Sequence, residues 1–271
     1  MPLTQYLPKR KNDANKGDFG HALIIGGDYN MGGALIMAAE GAFRVGCGKV
    51  SVLTRKENFS QLLTRLPNAM TAAFDGNNYL EIEKNKNVIV IGCGLGRSAW
   101  ANELFMEVLN SIRPKILDAD ALNILSESKK SFDLSNTIIT PHVGEAARLL
   151  ALSTDEIQQD RELSVKKLYD KFGAITVLKG YGTLILGHNQ KITKCEHGNA
   201  GMATAGMGDV LAGIIGGLVA QNLDLEAAAI AGVNIHALAG DLVAKKQGEI
   251  GMIPSDLFEY LPQIINNKIC K

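Results

Sequence analysis

Short apolar runs closed by glycine recur along the chain, and most are followed by a stretch with helical spacing. "HALIIGG" (21–27) predicts a buried strand stopped by a turn, and "GGALIMAAEGAFRVG" (32–46) a helix with one broad apolar face. "KVSVLT" (49–54) is rich in β-branched residues and predicts a second strand. "NVIVIGCGLG" (87–96) predicts a third, ending in a glycine loop, and "NELFMEVLNSI" (102–112) an amphipathic helix. "KILDADALNIL" (115–125) and "NTIITPHVGEAARLL" (136–150) each read as a strand running into a helix. Residues 155–171 predict one amphipathic helix, 174–186 two strands around a glycine turn, and 189–195 a hairpin partner. Helices at about 208–221, 225–245 and 255–265 complete the pattern. Alternating strands and helices imply an α/β fold with a mainly parallel sheet covered on both faces. With no repeat, linker or low-complexity segment, the 271 residues read as one domain.

Charge narrows the function classes. Lys plus Arg and Asp plus Glu both number 28, so no basic excess points to nucleic acid or an anionic membrane surface. A charged substrate must then be held by local groups. The polar N-terminus has no apolar leader core, and no apolar run reaches membrane-spanning length without a charge or a helix boundary. Cys47, Cys93, Cys195 and Cys270 form no CxxC pair and read as small buried thiols. A cytoplasmic location is expected, with neither membrane nor nucleic acid as partner.

Candidate chemistry gathers at glycines. Clusters at 26–27 with 32–33, at 92–96 and at 180–182 fall at strand ends, where open α/β sheets bind ligands. "GCGLG" lacks the spacing of a dinucleotide fingerprint. The cluster at 206–208 precedes an apolar helix, so its amides and the helix start together suit a phosphate. Asp209, the only charged residue of "GNAGMATAGMGDVLAGIIGGLVAQ" (198–221), fits either a helix cap or a proton acceptor beside that phosphate. The small residues of this stretch fit either close helix packing or close approach to a charged ligand. Asp118 and Asp120 are paired acids, which can bind metal; Asp120, followed by an apolar helix, fits an N-cap equally well, and Asp118 is left open. His21, His188, His197 and His236 have no motif support and read as structural or exposed.

Seven ordered motifs make a family resemblance specific. They are "KGDFGHALIIGG" (16–27), "YNMGGALIMAAEGAFRVGCGKV" (29–50), "GCGLG" (92–96), "LDADALN" (117–123), "TPHVGEAARL" (140–149), "KGYGT" (179–183) and "GNAGMATAGMGDVLAG" (198–213). Over roughly 15–265 the chain resembles the ADP/ATP-dependent NAD(P)H-hydrate dehydratases, which have a ribokinase-like fold. Ala200 stands where that family usually has Pro, and Ala205 where Gly is common.

The resemblance implies a hydro-lyase that restores hydrated NADH or NADPH (S epimer) to NAD(P)H, using ADP or ATP with Mg²⁺. The ADP-dependent reaction gives AMP and phosphate. Asp209 is the implied general base and also contacts substrate. Gly33, Ala34, Gly94, Gly96 and His142 are the implied substrate site. Lys179, Gly180, Tyr181, Gly182, Thr183, Gly206, Met207 and Gly208 are the implied nucleotide site. Glu145 matches the acid of the NxxE motif, which organises Mg²⁺ through water. Further implications are a single dehydratase domain over 1–271 with an N-terminal extension at 1–14, the stand-alone bacterial type, a separate epimerase as functional partner and a homo-tetramer. A small-molecule kinase of the same fold, of hydroxyethylthiazole kinase type, is the alternative.

Overall fold

The computed structural model describes residues 10–267. "HALII" forms β1 (His21–Ile25), buried throughout. It is followed by α1 (Gly32–Arg44), β2 (Lys49–Leu53), α2 (Phe59–Arg65), β3 (Met70–Ala72) and α3 (Tyr79–Glu83). Next come β4 (Val88–Ile91) with α4 (Ala99–Asn110), β5 (Lys115–Leu117) with α5 (Ala119–Glu127), and β6 (Thr137–Ile139) with α6 (Val143–Leu150). α7 (Thr154–Gln159) and α8 (Arg161–Phe172) lead into β7 (Ile175–Leu178), β8 (Leu184–Leu186) and β9 (Ile192–Lys194). α9 (Met207–Ala220), α10 (Leu225–Gln247) and α11 (Leu257–Ile265) follow.

The strands form one sheet in the order β3-β2-β1-β4-β5-β6-β7-β8-β9. β1 to β7 are parallel, and β8 and β9 add on antiparallel. Successive strand residues face opposite sides, which sorts the core into two layers. Ala22, Ile24, Val50, Val52, Val88 and Val90 pack with α1, α9, α10 and α11. Leu23, Ile25, Leu53, Ile89 and Ile91 pack with α4, α5, α6 and α8 on the other face. Strand order reverses between β1 and β4, and the loops there are tied together. The Gly27 amide donates to Cys93 O at 3.1 Å and the Asp28 amide to Gly94 O at 2.7 Å.

Small residues seat α9 directly on α1. A Cβ at Gly213 would lie 1.9 Å from the Ala38 carbonyl oxygen, and one at Gly217 2.7 Å from that of Ala42. These contacts are backbone, so neither helix can yield by turning a side chain. Gly213→Ala is therefore expected to destabilise the protein by about 1–3 kcal/mol, the usual cost of overpacking. Denaturant unfolding measures it; a loss under about 0.5 kcal/mol would mean the helices part freely. α10 has the length and composition to cross a membrane, but most of it is buried here as a core helix against α9 and α11.

Two features differ from the pattern read along the chain. The single helix expected over 155–171 is two, because Asp160 leaves helical geometry (φ −143°) and its side chain caps α8 by accepting from the Leu163 amide at 2.8 Å. Aspartate competes with the helix ladder in this way. β3, α2 and α3 have no counterpart in the sequence reading. β3 is an edge strand of three residues, half-exposed to exposed, so it carries no apolar alternation.

Candidate active site

Parallel strands deliver their carboxyl ends to one edge of the sheet, and the polar residues that follow them meet there. Asp118 follows β5, Thr140 and His142 follow β6, and Lys179 follows β7. Asp118 holds the N-cap position of α5 but makes no cap bond. Its Oδ1 instead accepts from Lys179 Nζ at 2.6 Å and from Thr140 Oγ1 at 2.7 Å. Both partners of the ion pair are largely out of water, with side chains 2% and 17% exposed. Burial pulls the Lys179 pKa down, but Asp118 and Glu145 outweigh it and leave the ammonium above its ordinary value.

α6 opens with a capping box that fixes two predicted site residues. His142 Nδ1 accepts from the Gly144 amide at 2.9 Å, and Glu145 Oε2 accepts from the His142 amide at 2.8 Å. Glu145 Oε2 also lies 3.8 Å from Lys179 Nζ. Burial pushes the Glu145 carboxyl up to about 7, against the pull of Lys179. Burial also lowers the His142 imidazole, with Lys179 adding to it.

α9 supplies the opposite wall. Gly206 is its N-cap with φ +96°, a conformation that costs glycine little. The amides of Gly206, Gly208 and Asp209 have no hydrogen-bond partner among the described residues. Asp209 is therefore not the cap: it sits in the first turn, half-buried, with its carboxylate facing the cluster. Cys93 Sγ, Asp118 and Asp209 bring ligand atoms within 4.8 Å of one another. Burial raises the Asp209 carboxyl to about 6, and the charge of Asp118 adds to the rise. Burial also holds the Cys93 thiol well above its ordinary value, so it stays protonated beside Asp209.

The turn after β7 and the start of α9 touch. A Cβ at Gly208 would lie 3.2 Å from Lys179 Nζ and 3.7 Å from Asp118 Oδ2, so glycine there is what admits the lysine. Thr183 Oγ1 closes the turn by donating to Gly180 O at 2.9 Å. Tyr181 in the same turn is 93% exposed. Gly94 and Ala34 meet at the β1–β4 crevice, where a Gly94 Cβ would come 3.2 Å from that of Ala34. The Gly96 amide donates to Asp120 Oδ2 at 2.8 Å. Asp120 is thus no N-cap; it braces the glycine loop. Gly33 has open space where a side chain would project.

Asp118, Thr140 and Cys93 belong to the cluster without having been singled out for a role. The usable signal for Asp118 was its place directly after a strand. His236 is buried close to the start of α9, its Nε2 without a hydrogen-bond partner among the described residues, and burial pulls its pKa to about 4. His21 is buried against Ser51, whereas His188 and His197 are at the surface. Cys47, Cys93 and Cys195 are buried free thiols; Cys270 lies outside the described residues.

The donor set suits one kind of metal binding only. A protonated thiol and an aspartate already paired with lysine do not make an all-protein cage for a hard cation. Mg²⁺ keeps most of its waters and takes few carboxylates besides phosphate oxygens. Glu145, whose buried carboxyl is pushed towards the neutral form, fits such a hydrated ion through water.

The sheet order and flanking helices are those of the ribokinase-like fold. Among solved structures, the ADP/ATP-dependent NAD(P)H-hydrate dehydratase of Bacillus subtilis, co-crystallised with ATP/Mg²⁺, superposes with a TM-score of 0.88. It is 27% identical, with 98% of this chain and 95% of that one covered. The bifunctional NAD(P)H-hydrate repair enzyme Nnr of Coxiella burnetii is 49% identical over 96% of this chain and 53% of its own length. The chain thus spans about half the length of the first curated relatives it matches. The ADP-dependent (S)-NAD(P)H-hydrate dehydratase of Neisseria meningitidis serogroup B is 41% identical, over 88% of this chain and 82% of that protein. Residues 22–263 match the family described as NAD(P)H-hydrate dehydratase, and the chain belongs to that family.

Proposed function

We propose that this chain dehydrates the S epimer of hydrated NADH or NADPH back to NAD(P)H, converting ADP to AMP and phosphate. The observation that carries the reading is the meeting of a half-buried carboxylate, Asp209, with unpartnered amides at the start of α9, against the Lys179 turn. The name of the Neisseria relative supports the same reaction and co-substrate.

In this reading the nucleotide lies along Lys179, Gly180, Tyr181, Gly182 and Thr183. Its terminal phosphoryl faces the main chain of Gly206, Met207 and Gly208. The hydrated ring lies against Gly33, Ala34, Gly94, Gly96 and His142. Hydroxide is a poor leaving group, so the ring hydroxyl must first become a phosphate ester. Its oxygen attacks the terminal phosphorus, Asp209 takes the hydroxyl proton, and the bond to AMP breaks. The amides stabilise charge on the moving phosphoryl without reorganising. The ring C–O bond then breaks with its electrons on phosphate, and a ring C–H proton leaves to restore the double bond. Mg²⁺ would neutralise phosphate charge, with Glu145 reaching it through water. The family resemblance further supports a single dehydratase domain over residues 1–271, a homo-tetramer, a cytoplasmic location and functional pairing with an epimerase.

Incubation with hydrated NADH and ADP tests the reading directly. Return of the dihydronicotinamide absorbance, dependent on nucleotide, is the expected result. A stable phosphorylated small molecule formed with ATP, and no dehydration, would favour a kinase.

A base must be ionised to accept a proton. With Asp209 at about 6, kcat/KM should rise through about pH 6 and level above it. An acid limb near the ordinary carboxylate value of 3.8 would remove Asp209 from this role. Stability has the opposite sign. Asp209 and Glu145 have folded values above their ordinary 3.8 and 4.5, so the folded chain binds these protons more tightly than the unfolded one. Their contribution is fully present below about pH 4 and is lost as pH rises through about 6 and 7.

A further inference from the structure

The crevice where strand order reverses, between β1 and β4, holds a second charged group that the proposed chemistry does not use. Asp28, buried at the end of β1, accepts at Oδ1 from Arg55 Nε at 2.9 Å and from the Tyr29 amide at 3.0 Å. Its Oδ2 accepts from Ser98 Oγ at 2.6 Å. Arg55 is further clamped between two rings, its guanidinium carbon 4.7 Å from the Tyr29 centroid and 4.2 Å from that of Trp100. Its side chain is 22% exposed. Only Nε has a hydrogen-bond partner; neither Nη group has one among the described residues.

A guanidinium offers five donors in a planar fork, and the outer ones of Arg55 are unmatched by protein and open to solvent, free to meet an acceptor. The clamp holds the fork in one orientation, so little side-chain entropy is lost when an acceptor arrives. A phosphate matches that fork bidentately. The position is where open α/β sheets take ligands. It adjoins the implied substrate glycines: the Asp28 amide donates to Gly94 O at 2.7 Å, and a Gly96 Cβ would lie 3.1 Å from Asp28 Oδ2.

We propose that Arg55, oriented by Asp28, Tyr29 and Trp100, binds a phosphate group of the dinucleotide substrate and so selects dinucleotides over hydrated nicotinamide fragments. The proposal rests on the substrate reading above. The phosphate is either the pyrophosphate common to NADH and NADPH or the 2′-phosphate of NADPH.

Trp100 is the only tryptophan in the chain, so its fluorescence reports on this clamp alone. Titrating the wild-type protein with NAD⁺, NADP⁺ and nicotinamide mononucleotide should shift the emission with one or both dinucleotides at far lower concentration than with the mononucleotide. Arg55→Gln should weaken that response. In turnover, it should raise KM for the hydrated dinucleotide by about tenfold or more, the scale of a lost charge-assisted hydrogen bond. The KM for ADP should be unchanged and kcat altered less than about twofold. Arg55→Lys keeps the charge without the fork and should recover only part of the loss. Equal losses for hydrated NADH and NADPH assign the pyrophosphate; a loss confined to NADPH assigns the 2′-phosphate. Unchanged dinucleotide KM in both variants, or no dinucleotide-dependent change at Trp100 in the wild type, overturns the proposal. The titration needs no turnover. A wild-type protein that binds dinucleotide at Trp100 but does not dehydrate it refutes the reaction and leaves the clamp standing.

Discussion

Replacing Asp209 with Asn is expected to lower turnover by at least about 10²-fold while nucleotide still binds. Removal of a general base costs about that much or more. Asn keeps the size and polarity of Asp209 but cannot take the ring-hydroxyl proton. The neighbourhood favours survival of the fold. The wild-type carboxylate is half-buried, beside Asp118, and its ionised form is disfavoured there. A neutral amide relieves that repulsion, so the variant should be no less stable than the wild type near neutral pH. Steady-state rates, nucleotide affinity by calorimetry and thermal unfolding separate the effects. Activity within about tenfold of wild type would show that some other group accepts the proton.

The largest stability effect is expected at Asp118. Asp118→Ala strands the Lys179 ammonium, 83% buried by side chain, beside Gly208 with no ion-pair partner nearer than Glu145 at 3.8 Å. Breaking one side of a buried ion pair costs about 3–5 kcal/mol. Removing both charges should cost less than removing one, because no unpaired charge is then buried. Asp118→Ala combined with Lys179→Met should therefore recover much of the loss in denaturant unfolding. If the double variant is as unstable as the sum of the single ones, the pair is not coupled and Asp118 acts through Thr140 instead.

The start of α9 shows what was legible along the chain and what was not. Glycine, apolar periodicity and a lone acid marked the helix, its N-terminus and Asp209 as candidate chemistry. The two uses of small residues both occur, at different positions. Gly213 and Gly217 press on the backbone of α1, whereas Gly206 and Gly208 leave unpartnered amides at the sheet edge and Gly208 makes room for Lys179. The central strands were readable because both faces are covered and their runs are mostly apolar or β-branched. β3 was not, because an edge strand of three residues has no pattern to read. Nor was the break at Asp160, where a side-chain cap overrides helical periodicity.

Pairings between distant residues are the least legible of all. Lys179 and Asp118 lie 61 positions apart, and nothing in either motif says that one satisfies the other. Asp120 looked like a capping acid because an apolar helix follows it, yet it braces the glycine loop, and Asp118, left open, is aimed by strand order at the ends of β6 and β7. Arg55 follows a strand without any motif, and its clamp becomes visible only when Asp28, Tyr29 and Trp100 converge on it.

The most direct measurement is a structure of the protein with hydrated NADH and a non-hydrolysable ADP analogue. The terminal phosphate should lie within hydrogen-bond reach of the Gly206 and Gly208 amides, with the ring hydroxyl between it and the Asp209 carboxylate. A phosphate seated elsewhere, or a ring hydroxyl out of reach of Asp209, would contradict the mechanism.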